Sequence, residues 1–174
     1  MTEIYTDELK AAAPSLTAGD QILLSGTVYT SRDAAHKRIF SLMERGLPLP
    51  YSIKGAVVYY AGPTPAKPGM AIGACGPTTS SRMDRYAPTM LDMGLAAMIG
   101  KGPRSAPVID AIQRNGALYL CAIGGAGALA CKHITNCRVL AFADLGCESV
   151  KELTFHKFPL FVGIDASARS IFKV

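Results

Sequence analysis

Between Leu95 and Ala143 the sequence alternates short apolar runs with amphipathic ones, and that alternation leaves the chain few folds to choose from. Leu95–Ile99 and Ala117–Ile123 are continuous apolar runs of strand length. Between them Val108, Ile109 and Ile112 recur at helical spacing. Ser105 stands at the cap position of that segment, Pro107 in its first turn and Asn115-Gly116 at its end. Gly124-Gly125-Ala126-Gly127 turns into a short helix through Leu129, and Arg138–Ala143 and Leu160–Ile164 read as further strands. Strands joined by helices in this way predict an α/β fold with a partly parallel sheet.

The first half extends the same pattern. Residues 1–18 read as an approach segment, with a short helix over Asp7–Ala13 stopped by Pro14. Gln21–Tyr29 is a strand, and Gly26 inside it marks a bulge or a close backbone approach. Thr30 and Asp33 have capping-box spacing, and Ala35, Ile39, Leu42 and Met43 give the following helix its buried face. Asp33 and Lys37, four apart on that helix, read as a solvated ion pair. Residues 47–69 are proline-rich around a strand at Gly55–Tyr60, and a second strand is expected over 70–75. Pro88 must kink or restart the helix implied by Met83, Ala87, Met90 and Leu91, and Gly94 stops it. At 174 residues, 49% of them hydrophobic and 18% charged, a single folded domain over 1–174 is expected and disorder is not.

The chemistry concentrates in Gly73–Asp84, where an apolar run breaks at Gly76-Pro77 and is followed by Thr78, Thr79, Ser80, Ser81 and Arg82. Hydroxyls and an arginine where a helix begins suit an anion, or simply cap the helix. Two further strand ends carry cations, Arg32 and Lys101. Ligands of α/β sheets bind beyond the carboxyl ends of the strands, so three cations there suit a small substrate with two carboxylates. Of the three histidines, His36 has the best claim to a role because it lies one helical turn from Arg32, whereas His133 and His156 read as structural or exposed. Five cysteines contain no C-x-x-C pair, and no strong metal-ligand set appears, so Lewis-acid chemistry would need another chain. Cys75, Cys121 and Cys137 read as reduced packing residues. Gly124–Gly127 lacks the rest of a dinucleotide fingerprint. The formal charge of +5 is scattered, without the clustered basic face that nucleic acid requires. No apolar run is long enough for a membrane span, and a location in the cytoplasm, or in an organelle after processing, is expected.

Ser25-Gly26, Thr30-Ser31-Arg32-Asp33-Ala34-Ala35-His36-Lys37, Gly62-Pro63, Gly76-Pro77-Thr78-Thr79-Ser80-Ser81-Arg82-Met83-Asp84 and Gly100-Lys101-Gly102 together resemble one family. It is the β subunit, or C-terminal domain, of class I iron–sulfur fumarases and L-tartrate dehydratases. The resemblance runs from about Gly19 to Val162. It implies a swivelling β/β/α domain with a mixed sheet and flanking helices. It also implies a separate α subunit that carries a [4Fe–4S] cluster on three cysteines, its open iron a Lewis acid, in a hetero-oligomer such as a dimer of αβ pairs. Carried over by position, Arg32, Arg82 and Lys101 match the family's substrate-carboxylate clamps. Thr78 matches the threonine that takes the carbon-bound proton, with an activating group from the α subunit. Thr79 assists or caps, while Asp33 and His36 match positions that orient the site. The implied reaction is reversible hydration of fumarate to malate. The rivals are dehydration of L-tartrate and a non-catalytic module that binds a small anion. The tail, Asp165–Phe172, lacks the glycine often seen after the family's last strand.

Overall fold

The computed structural model describes residues 1–172. Four strands run parallel side by side: β1 (Thr2–Tyr5), β2 (Gln21–Thr30), β3 (Val57–Tyr59) and β4 (Ala97–Gly100). β5 (Leu118–Cys121) continues the parallel row. The remaining strands, β6 (Ile134–Ala141) and β7 (Val150–Ile164), are antiparallel to each other, and β7 pairs antiparallel with both β5 and β2. Because β7 joins the two ends of the row β2-β3-β4-β5, the sheet closes on itself. Inside the closure lie Leu24, Val57, Tyr59, Ile99, Leu120, Phe155, Phe158 and Leu160.

The opposite face of β3, β4 and β5 carries Val58, Met98 and Tyr119 into a second core. There it meets helices α2 (Asp33–Glu44), α3 (Ala87–Asp92) and α4 (Ala106–Asn115); the short α1 (Leu9–Ala12) and α5 (Gly127–Ala130) lie elsewhere. Ala35 and Ile39 of α2, Met90 and Leu91 of α3, and Val108 and Ile112 of α4 are buried at the spacing the sequence shows. The mixed sheet with flanking helices expected of the family is therefore what the chain forms.

Gly26 is both of the things the sequence allows. Its φ is +113°, and the ladder skips register between Leu24 and Gly26. Ser25 there faces His156 and Lys157, so two residues of β7 oppose one of β2. Ser25 Oγ accepts the Lys157 backbone N–H at 2.9 Å. A Cβ at Gly26 would also collide with the Thr6 side chain. Gly26→Ala is therefore expected to destabilise the chain by about 1–3 kcal/mol, read as a lower midpoint in urea with unchanged slope.

Several expectations need correction. The run at 70–75 is not a strand. Its backbone turns back on Thr64 instead, with Thr64 N donating to Ala74 O at 3.0 Å and Thr64 Oγ1 accepting Ala74 N at 2.9 Å. The first residues, read as an approach, form β1. Thr30 is not a cap: it ends β2, and its Oγ1 donates to Ser149 O at 3.2 Å and accepts Lys151 N at 3.0 Å. Ser105 precedes α4 as expected but makes no side-chain cap bond. The tail turn is built on Asp165 instead of a glycine. Its buried carboxylate accepts the backbone N–H groups of Ala18, Ser167 and Arg169 and the Arg169 Nε. Those bonds hold it below the usual carboxylate range against the opposing effect of burial.

Candidate active site

Parallel strands end at the same edge. Thr30, Tyr59, Gly100 and Cys121 close β2, β3, β4 and β5, so the loops after them lie side by side. Arg32, Asp33, His36 and Lys101 lie in the loops or first helical turn at that edge, and Thr78, Thr79 and Arg82 lie on a strap, residues 78–83, that bridges to Lys101.

The loop after β2 is Ser31-Arg32, which leads directly into α2. Arg32 is half-buried, and its Nε lies 3.2 Å from Glu148 Oε1, an ion pair without hydrogen-bond alignment. Its guanidinium passes over Gly62, where a Cβ would lie 2.8 Å from Nη1. Asp33, first residue of α2, does not pair with Lys37. It reaches across to the strap, where Arg82 Nε donates to Asp33 Oδ1 at 3.0 Å and Arg82 Nη2 lies 2.8 Å from Oδ2. The helix-face spacing gave Lys37 an opportunity, but a fork-shaped guanidinium offers a carboxylate the better match.

His36 is buried, stacked 5.3 Å from Tyr86 and set edge-on to Tyr60. Its Nδ1 lies 2.9 Å from Arg32 O and 3.0 Å from Ser31 Oγ. A carbonyl can only accept, so Nδ1 carries a proton and ties the ring to the backbone of the Arg32 loop. Burial drives the imidazole down to about 4, helped by the Arg104 charge and opposed by the Arg32 carbonyl and Asp33. The folded chain thus holds His36 neutral, whereas the unfolded chain protonates it near 6.5. The unfolded state binds more protons between those values. The contribution is complete above about pH 6.5 and is lost as pH falls through about 4. Unfolding free energies at pH 4.5 and 7 are expected to differ less in His36→Gln than in the wild type. An equal pH difference in the two proteins would overturn this.

The strap is the second element. Thr78 N donates to Tyr60 O at 2.6 Å, and Thr79 forms a parallel bridge with Lys101. Ser80–Met83 is one turn of 3-10 helix, and Thr79 before it makes no side-chain cap bond. The hydroxyls of Thr78 and Thr79 are not spent on capping: Thr78 is half-buried, Thr79 exposed, and neither side chain has a hydrogen bond among the described residues. Lys101 follows β4, close enough to the next loop that a Cβ at Gly124 would touch its side chain at 3.5 Å. Among the described residues its ammonium has no ion pair. The three cations expected from sequence are therefore linked: Arg82 to Asp33 beside Arg32, and Lys101 to Thr79 on the same strap as Arg82.

Two supporting residues escaped the sequence reading. Glu148 comes from the turn before β7, far along the chain, and only the closed sheet brings it to Arg32. Arg104 is fully buried, its Nε donating to Asp84 Oδ1 at 2.7 Å and its guanidinium lying over the Tyr60 and Tyr119 rings. Asp84 at the end of Arg-Met-Asp was the available signal, since a half-buried carboxylate needs a partner. Among the described residues no three His, Cys, Asp or Glu side chains gather as a metal-binding group, and the five thiols are free. Among the described residues no helix is long and apolar enough to cross a membrane.

The family model described as Fumarase C-terminus matches residues 2–174. The chain is 36% identical over 168 residues to fumarate hydratase 2 of Leishmania major and 34% identical to the anaerobic class I fumarate hydratase of Escherichia coli K12. It covers 95% of itself in both alignments but 30% and 31% of those proteins, so it spans about three-tenths of their length. It is 30% identical to the L(+)-tartrate dehydratase subunit beta of Escherichia coli K12, covering 98% of this chain and 87% of that protein. With this match along its whole length, the chain belongs to the Fumarase C-terminus family.

Proposed function

We propose that this chain is the substrate-clamping part of a hydro-lyase that reversibly adds water to fumarate. The observation that carries the reading is the cationic edge: Arg32, Arg82 and Lys101 on neighbouring loops, with the unengaged Thr78 hydroxyl among them. A four-carbon dicarboxylate has one charge at each end, and a forked guanidinium binds a carboxylate through two parallel bonds. Arg32 and Arg82 are each held by an in-chain carboxylate, so both are placed before substrate arrives. Lys101, unpaired among the described residues, supplies a further positive charge. In the dehydrating direction a proton leaves the carbon beside one carboxylate and hydroxide leaves the adjacent carbon. Thr78 Oγ1 would take that proton once a base of the partner has removed its own hydroxyl proton, and the hydroxide would leave to the Lewis acid that the partner would hold. A neutral threonine is a weak base, and no carboxylate of this chain bonds it among the described residues, so the activating group comes from the partner. His36, buried and tied to the Arg32 backbone, orients the clamp, and Asp33 does the same for Arg82.

The residues of this chain do not fit an iron–sulfur cluster, because its thiols do not gather. In this reading a [4Fe–4S] cluster would be held by the partner α subunit, where it would supply a Lewis acid. Fumarate stands first because identity is higher to the fumarate hydratases, at 36% and 34%, than to the tartrate dehydratase subunit, at 30%. The test is purification of the chain from its own host without oxygen, followed by assays on fumarate and L-tartrate. An iron-containing partner with fumarate turnover supports the reading. Turnover of L-tartrate alone replaces the substrate, and a chain that binds dicarboxylate with no partner and no turnover replaces the enzyme with a binding module.

A further inference from the structure

Among the described residues Lys101 has no ion pair to hold it, so its place depends on its backbone. The Lys101 backbone N–H donates to Ser80 Oγ at 3.1 Å. The Tyr119 hydroxyl lies 2.8 Å from Ser80 Oγ and 2.8 Å from the Gly102 carbonyl oxygen. These contacts admit only one arrangement of protons. A backbone N–H can only donate and a carbonyl can only accept. The single hydroxyl proton of Tyr119 must go to Gly102 O. The Tyr119 oxygen must then accept from the Ser80 hydroxyl, whose own oxygen accepts from Lys101 N. The relay leaves the loop at Lys101 and returns to it at Gly102, fixing the peptide between them from both sides.

We infer that Ser80 and Tyr119 are positioning residues for Lys101, acting through this one-way relay; the inference rests on the assignment of Lys101 to a substrate carboxylate. Both residues are fully buried, so the relay works in a dry setting where hydrogen bonds are strongest. Burial raises the Tyr119 phenol, keeping it a donor. Its ring is fixed by the Arg104 guanidinium, 4.9 Å from the ring centroid. Gly100 makes the approach possible, since a Cβ there would collide with Ser80 Oγ and lie 3.1 Å from the Tyr60 ring. The same strap carries Thr78 two residues before Ser80, and Ser80 N donates to Lys101 O at 2.9 Å. One buried relay thus holds the lysine and the threonine of the site in a single register.

A double-mutant cycle in the assembled enzyme, on whichever of fumarate and L-tartrate the wild type turns over faster, tests this. Tyr119→Phe keeps the ring and removes the relay. It is expected to raise KM roughly 3- to 10-fold with a smaller change in kcat, the loss of about one hydrogen bond. Lys101→Met raises KM by itself, and adding Tyr119→Phe to it produces no further rise. If Tyr119→Phe does not yield folded protein, Ser80→Ala interrupts the relay at its middle and carries the same expectation. The same factor in both backgrounds, or a lower melting temperature with unchanged KM, makes the relay a stabilising feature only and overturns the inference. Lys101→Met with unchanged KM overturns instead the carboxylate assignment of Lys101 under Proposed function.

Discussion

Replacing Arg82 with alanine in the assembled enzyme is expected to lower kcat/KM roughly 30- to 150-fold, a loss of about 2–3 kcal/mol in transition-state stabilisation. The estimate takes the lower part of the range for truncated charge pairs because half of the Arg82 side chain is open to water here. Its Nε and Nη2 both face the Asp33 carboxylate, so the Nη1 side of the guanidinium is what a substrate carboxylate meets. Two variants separate charge from geometry. Arg82→Lys keeps the charge and loses the fork, and should fall between wild type and alanine. Asp33→Asn keeps the shape, removes the anion that aims Arg82, and should cost roughly 3- to 10-fold. Steady-state kinetics on the three proteins decides it. Near-normal kcat/KM for Arg82→Ala would remove Arg82 from the clamp.

The largest effect on stability is expected at Arg104. Its side chain is fully enclosed, with the guanidinium 5.4 Å from the Tyr60 ring centroid and 4.9 Å from that of Tyr119. Asp84 answers the charge through Oδ1, while its Oδ2 takes the Ser105 N–H at the start of α4. Arg104→Met fills much of the same space but leaves the Asp84 carboxylate, 13% exposed, without its cation. Breaking a buried pair from one side costs about 3–5 kcal/mol, which for a chain of this size lowers the melting temperature by about 10 °C. Adding Asp84→Asn to Arg104→Met should recover part of the loss, because the amide removes the stranded charge and still accepts from Ser105 N–H. Thermal unfolding of the two variants checks this. A melting temperature within 2 °C of wild type in Arg104→Met would show that the pair contributes little.

Local signals carried much of this fold. The apolar spacing of α2 and α4, the stops at Gly94 and Gly116, and the bulge at Gly26 all reflect residues acting on their near neighbours, and all were legible. The motif residues at the strand ends were legible too, because a parallel row forces its loops to one edge. What escaped was set by distant contacts. Leu160–Ile164 was legible as a strand, but the part of β7 before it hides because its alternation breaks at the bulge around His156 and Lys157 and again at Pro159, which would ordinarily argue against a strand. Pro159 is tolerated because it falls after the last β6 partner, Phe155, and before the first β5 partner, Phe161. Thr30 and Asp33 looked like local partners of their own helix, yet each is claimed by a residue far along the chain. The Met70-Ala71-Ile72 run is apolar enough for a strand, but Ile72 serves as a buried plug on a loop closed by Thr64.

The closing role of β7 has a consequence for how the chain is made. Ribosomes deliver β2 and β5 well before β7, and until Val150–Ile164 emerges both carry unpaired edges. The pairing of Gln21 with Phe161 is a contact of high sequence separation, which makes closure slow. Until β7 pairs, the row stays an open, sticky ribbon, and that is the interval in which a chaperone would be needed most.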